Sequence, residues 1–363
     1  MSKYPPIYYA KYLQLDKLLE IQQPESKKYS EEAHDEMLFI IVHQAYELWF
    51  KQILHEIDSV NSMFKNDTVD ERSIGIAVSR LQRITEIQKL LIEQLRVLET
   101  MTPLDFLDFR DYLIPASGFQ SFQFRLIENK LGLSDKIRIK YNNADYLNTL
   151  EPEHREKIMQ TVNESSTFEL VQRWLERTPF LNYGGFDFWE LFKTTVDKML
   201  ENDKIIIINN STLNDIKKVF QLKQVEATLR NFEALFDTAK HNELVEKGER
   251  TFSNKATLAA LFINLYRDEP ILHIPFMFLN LLLEMDELFT AWRYRHALMV
   301  HRMIGAKIGT GGSSGHHYLM STVDKHRVFT DLFNLSTYLI PRSELPPLPD
   351  ELINQLSFSY SNK

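Results

Sequence analysis

Cysteine is absent from the 363 residues. Disulfides and thiolate metal sites are therefore excluded, and a chain of this length can bury roughly three quarters of its unfolded surface without such staples. The lack of cysteine fits a reducing compartment. The opening residues, Met1-Ser2-Lys3-Tyr4-Pro5-Pro6, carry no apolar secretion core, so a cytoplasmic location is expected. Basic excess is missing too: a net charge of −8 argues against a nucleic-acid partner. Unbroken hydrophobic runs of membrane length are lacking. The apolar stretch from Met37 to Phe50 is too short, and Glu284, Asp286 and Glu287 interrupt the other candidate. Glycine is scarce, with 11 in all, yet Gly305, Gly309, Gly311, Gly312 and Gly315 fall within one short stretch. A chain that avoids glycine elsewhere has concentrated it in a loop.

What is present is long amphipathic helix. Periodicity and punctuation predict helices over 34–60, 71–98, 103–113, 120–130, 224–240, 255–266, 275–304 and 323–335. From Met37 to Phe50 the only formal charge is Glu47, placed to pair with Lys51 at i, i+4, so this helix is expected to be buried. Thr102, Pro103 and Asp105 read as N-cap, N1 and N3 of a capping box. The run Ile205–Ile208 fits either a short strand or a helix end. The fold class is all-α, a large helical bundle core with a small inserted subdomain. Residues 1–150 form an N-terminal arm and the first part of the helical domain, and 151–222, more polar, the inserted subdomain. Residues 223–340 form the second part of the domain with the glycine-rich loop, and 341–363 a Pro-rich tail. Aromatics make up 12% of the chain, enough either for a large packed core or for a pocket lined to receive a flat ligand.

Three side chains stand out for chemistry. His296 lies on a helix face with Phe289, Trp292, Met299, Val300 and Met303. One imidazole on such a wall can ligate haem iron, because porphyrin faces need apolar cover and the metal needs one nitrogen. A hydrogen-bonded core histidine would look the same. His301 is about 140° further round the helix and cannot share the metal. His43 shares a face with Phe39, Tyr46, Phe50 and Ile53, and could give or take one hydrogen bond with a flat ligand. Arg110 follows Phe106 by four residues, so ring and guanidinium share a face suited to an aromatic amino acid and its carboxylate. A salt bridge to Asp105 or Asp111 is the competing use. The loop contains Gly311-Gly312-Ser313-Ser314-Gly315, the spacing of a hydrolase nucleophile elbow, but a helix rather than a strand leads into it. A serine hydrolase at Ser313 is thus one alternative function, and a non-catalytic haem-binding helical protein another. Glu31-x-x-His34 and Glu151-x-x-His154 match half of a di-iron ligand pattern, but both sit at charged helix starts.

Several segments, in order, resemble one family. They are His34-Asp35-Glu36-Met37-Leu38-Phe39 with His43-Gln44-Ala45-Tyr46-Glu47-Leu48-Trp49-Phe50-Lys51, then Pro103-Leu104-Asp105-Phe106 with Phe109-Arg110, and Pro115-Ala116-Ser117-Gly118-Phe119-Gln120-Ser121. Further along come Trp292-Arg293-Tyr294-Arg295-His296, the glycine loop from Gly309, and Leu332-Phe333-Asn334-Leu335-Ser336-Thr337-Tyr338-Leu339-Ile340-Pro341. The chain resembles the tryptophan 2,3-dioxygenases, closely the animal type, over nearly its whole length. The resemblance implies a haem b enzyme, ferrous when active, that inserts O2 across the indole C2–C3 bond of L-tryptophan to give N-formyl-L-kynurenine. It implies that His296 is the iron ligand, that His43 is the catalytic histidine meeting the indole N–H, and that Phe39 and Phe106 line the indole pocket. Arg110 and Thr310 would bind the carboxylate, and Ser117 and Gly118 would lie at the haem edge. Tyr9, Tyr12 and Leu13 match a segment that reaches a neighbour's pocket, implying a homotetramer. His316 and Met320 depart from the Tyr and Arg expected after the loop.

Overall fold

The computed structural model describes residues 4–29, 31–133, 147, 150–307, 309–310 and 315–357. Helix dominates among them, and the strands described are the two-residue pair Asn182–Tyr183 and Phe186–Asp187. The Ile205–Ile208 run is helix, inside Phe188–Asn209. Three long helices organise the chain: His34–Phe64, Glu71–Leu98 and Pro270–Ile304. In the first, Val42, Tyr46, Phe50, Ile53, Ile57, Val60 and Phe64 are buried at steps of three and four, the spacing of one helical face. In the second, Ile74, Ala77, Val78, Leu81, Ile84, Leu91, Leu95 and Leu98 repeat the pattern. Each such side chain contributes roughly 1.5–3 kcal/mol on burial. No described helix is long and apolar enough to cross a membrane.

The chain divides into two compact units. The first comprises 1–56, 84–164 and 287–326; the second comprises 57–83, 165–286 and 327–363. The second unit is held by aromatic stacking, as of Phe64 on Phe278 and Phe168 on Phe252, and by buried polar ties such as Thr167 to Asn61 at 2.8 Å.

Helix boundaries depart from expectation most at three places. Pro270–Ile304 begins five residues early, with Pro275 inside it. Proline lacks an N–H, which so near a helix start costs only one bond. A helix starts at Asp215 rather than near 224, because the Asn214 side chain accepts from the Lys217 N–H and caps it. The expected 323–335 helix is two, Gly315–Lys325 and Thr330–Asn334. Between them the buried Asp286 carboxylate accepts the N–H groups of Val328 and Phe329, each at 2.9 Å, which turns these amides away from a helical ladder.

Candidate active site

The first unit encloses a cavity of about 260 Å³. Four segments supply the residues singled out from sequence. His34–Phe64 brings Phe39 and His43, and Pro103–Arg110 brings Phe106 and Arg110. Ser117 and Gly118 come from the turn after it, and His296 from Pro270–Ile304. Thr310 also lines the cavity, while Gly311–Ser314, including the alternative nucleophile Ser313, lie outside the described residues. Tyr9, Tyr12 and Leu13 are not among the cavity lining; they sit on the short exposed helix Tyr9–Leu13.

Local sequence sets the geometry. Thr102 accepts from Asp105 N at 3.4 Å and the Asp105 carboxylate accepts from Thr102 N at 2.8 Å, so the expected capping box forms. It fixes the phase of the helix: Phe109 is fully buried, and Phe106 and Arg110, one turn apart, both line the cavity. Phe39, Phe106 and Phe109 form an aromatic corner with centroids 5.4–5.8 Å apart. The competing use of Arg110 is also present, since its Nη1 lies 3.4 Å from Asp111 Oδ1, but Asp111 is largely exposed and such a pair is weak. Glu47 does not pair with Lys51; it accepts from Gln123 Nε2 at 2.8 Å.

The two histidines differ in how they are held. His43 Nδ1 lies 2.7 Å from the Phe39 carbonyl, one turn back, and its ring packs against the Phe39 ring at 4.0 Å. A carbonyl only accepts, so Nδ1 carries the proton and Nε2 keeps its lone pair. His43 is solvent-accessible and lines the cavity. Desolvation lowers its pKa below 6.5, against the opposing pull of the Phe39 carbonyl and Glu47. His296 has no hydrogen-bond partner among the described residues. Its ring stacks parallel on Trp292, with centroids 5.2 Å apart and planes 14° apart. Burial, with a smaller effect from His43, lowers its pKa to about 4. The imidazole is therefore neutral at physiological pH, the form that binds a metal.

The same cavity carries a feature that sequence reasoning missed. Arg125, Glu128, Arg293 and His326 are all buried and all line the cavity. Glu128 takes Arg125 Nη1 at 2.7 Å through Oε2 and Arg293 Nη2 at 3.1 Å through Oε1, with His326 Nδ1 at 3.5 Å from that same oxygen. Arg293 Nη1 also donates to the His326 carbonyl at 2.9 Å. The i, i+3 pair of Arg125 and Glu128 was readable, but not its partners 165 and more residues away. Beyond the loop, the His316 ring packs on His301 at 4.3 Å and its Nδ1 lies 3.2 Å from the Ala297 carbonyl. His154, of the second Glu-x-x-His, stacks on Phe122 at 4.1 Å. Among the described residues no three His, Asp or Glu side chains converge as a metal-ligand set.

The family model for tryptophan 2,3-dioxygenase matches residues 2–339. The chain belongs to the tryptophan 2,3-dioxygenase family. It is 53% identical to the tryptophan 2,3-dioxygenase of Dictyostelium discoideum over 98% of this chain and 89% of that protein. It is 52% identical to that of Bdellovibrio bacteriovorus, over 99% and 100% respectively. Against tryptophan 2,3-dioxygenase B of Danio rerio the identity is 50%, over 94% and 84%. Tryptophan 2,3-dioxygenase is thus the family under which the cavity of the first unit has to be understood.

Proposed function

We propose that this chain is a haem-dependent tryptophan 2,3-dioxygenase, an oxidoreductase that opens the indole ring of L-tryptophan with both atoms of O2 to give N-formyl-L-kynurenine. The observation that carries the siting of this reaction is the cavity with one neutral, unbonded imidazole, His296, on one wall and a second, single-acceptor imidazole, His43, also on its lining. The residues fit a haem: a lone nitrogen donor set among Trp292, Met299, Val300 and Met303 offers one ligand and apolar cover. His296 would hold the iron, with Ser117 and Gly118 at the edge of the group. When bound, the haem supplies redox-active iron for dioxygen chemistry.

The protein's part is binding, orientation and exclusion of water. Phe39 and Phe106 pack the indole. His43 Nε2, left as an acceptor by the Nδ1 contact, takes the indole N–H. Arg110 forks the carboxylate, and Thr310 adds a hydroxyl. Tyr8, Tyr9, Tyr12 and Ile7 are each about 70% exposed, which supports an N-terminal segment completed by a neighbouring subunit in a homotetramer. Ser313 as a hydrolase nucleophile has less support, since the elbow needs a strand leading into it and the described strands are a single two-residue pair elsewhere.

The test of the function is tryptophan-dependent O2 uptake by the haem-loaded protein, with product followed by absorbance. A haem spectrum without tryptophan-dependent uptake would leave a binding protein. Arg110→Ala should raise KM for tryptophan roughly ten- to a hundredfold, the worth of a charged hydrogen bond, with kcat less affected. An unchanged KM removes Arg110 from the site. His43 should orient rather than deprotonate, because the indole N–H is far less acidic than any imidazolium. His43→Ala should therefore lower kcat/KM by about tenfold, the value of one neutral hydrogen bond, and leave measurable turnover. Complete loss with tryptophan still bound would refute the orienting role. Because burial holds the His43 pKa below 6.5, kcat/KM should stay level as pH falls from 7 to 6.5 and decline only at lower pH. A limb centred at 6.5 or above contradicts this.

A further inference from the structure

A histidine that binds a metal nearly always hands its second ring nitrogen to a carbonyl, carboxylate or water, and this partner fixes the plane of the ring. No protein group among the described residues takes that nitrogen of His296, and what the structure does set against its ring is Trp292. We propose that Trp292 is the positioning residue for His296 and that Tyr46 in turn holds Trp292; the inference rests on His296 being the haem ligand.

The two rings are four residues apart on one helix, so they project from one face. Their parallel stack admits one imidazole plane, since rotation of either ring opens the contact. The indole is itself wedged, with Phe124 at 5.2 Å, Tyr46 at 6.2 Å and Phe50 at 6.4 Å, each inclined to it by between 39° and 87°. Tyr46 is fixed at its far end, where its hydroxyl donates to the Leu91 carbonyl at 2.6 Å. The Trp292 indole N–H is buried without an acceptor in hydrogen-bond geometry; burial pushes the Tyr46 phenol up to about 12, with a smaller lowering from the neighbouring Trp292 side chain. The next residue, Arg293, is clamped to Glu128 and the His326 carbonyl, so the helix cannot turn beneath the stack. The chain of support therefore runs from Leu91 through Tyr46 and Trp292 to His296, and it is made of ring planes where other metal sites use a hydrogen bond.

The measurement is the iron–imidazole stretching band in the resonance Raman spectrum of the reduced holoenzyme, with kcat and KM for tryptophan on the same samples. Trp292→Leu should shift and broaden the band and lower kcat by about tenfold, the lower end of what losing such a partner costs, while KM changes less than twofold. Trp292→Phe keeps a stacking ring and should restore the band position. Tyr46→Phe keeps the volume, frees the far end, and should broaden the band. A Trp292→Leu band that coincides with wild type at normal haem content overturns the proposal. Should that variant fail to fold, an unchanged band in Tyr46→Phe overturns it equally. A wild-type enzyme with no iron–imidazole band would instead remove the ligand assignment on which the inference stands.

Discussion

His296→Ala is expected to yield a folded protein that purifies without a Soret band and shows no tryptophan-dependent O2 uptake above background. Losing even a secondary partner of a metal-binding histidine costs 10–100-fold in affinity or activity, so losing the only nitrogen donor should cost more than about a hundredfold in haem affinity. His301 lies on another face of the same helix, its ring against His316, while His43, whose Nε2 keeps its lone pair on the same cavity, is the one imidazole a retained haem would point to. The deletion should be benign for folding, because the side chain gives up no hydrogen bond and faces a cavity. Added imidazole, which can enter the vacated space, should recover part of the Soret band. A normal haem spectrum in His296→Ala would place the ligand elsewhere.

Glu128→Ala should be the most destabilising of the substitutions considered, by about 3–5 kcal/mol in urea unfolding, because it removes the carboxylate between two buried guanidinium groups and so uncovers charge in a low-dielectric setting. Glu128→Gln keeps shape and some hydrogen bonding but not the charge, and should lie between wild type and Ala. A loss under 1 kcal/mol would mean that the two arginines are neutralised by other means. Because Arg293 adjoins Trp292 and lies one turn before His296, weakened haem retention is expected alongside the loss of stability.

Most of the architecture was legible because helices announce their ends locally. Thr102 and Asp105 set the start of one helix and Gly132, at positive φ, closes another, and both signals act within four residues. The failures were non-local. Nothing near Val328 says that Asp286, 42 residues earlier, will collect its N–H and end a helix. Periodicity placed His43, His296, Phe106 and Arg110 on faces that line one cavity, but a face does not tell which faces meet. That came from family resemblance and was then seen in the cavity. The Glu128 cluster escaped for the same reason: a buried carboxylate with two guanidiniums looks, in sequence, like one ordinary i, i+3 pair on an amphipathic helix.

The tie between the His43 ring and the carbonyl of its own helix carries a consequence for traffic through the pocket. An imidazole relays protons by receiving at one nitrogen and releasing at the other, and here the release side abuts an amide oxygen that has no use for a proton at any ordinary pH. The ring is a cul-de-sac: whatever hydrogen arrives at Nε2 must leave the way it came. If His43 is the histidine that meets the substrate, it could take and return a proton only through Nε2 and could not pass one on to a second group through Nδ1.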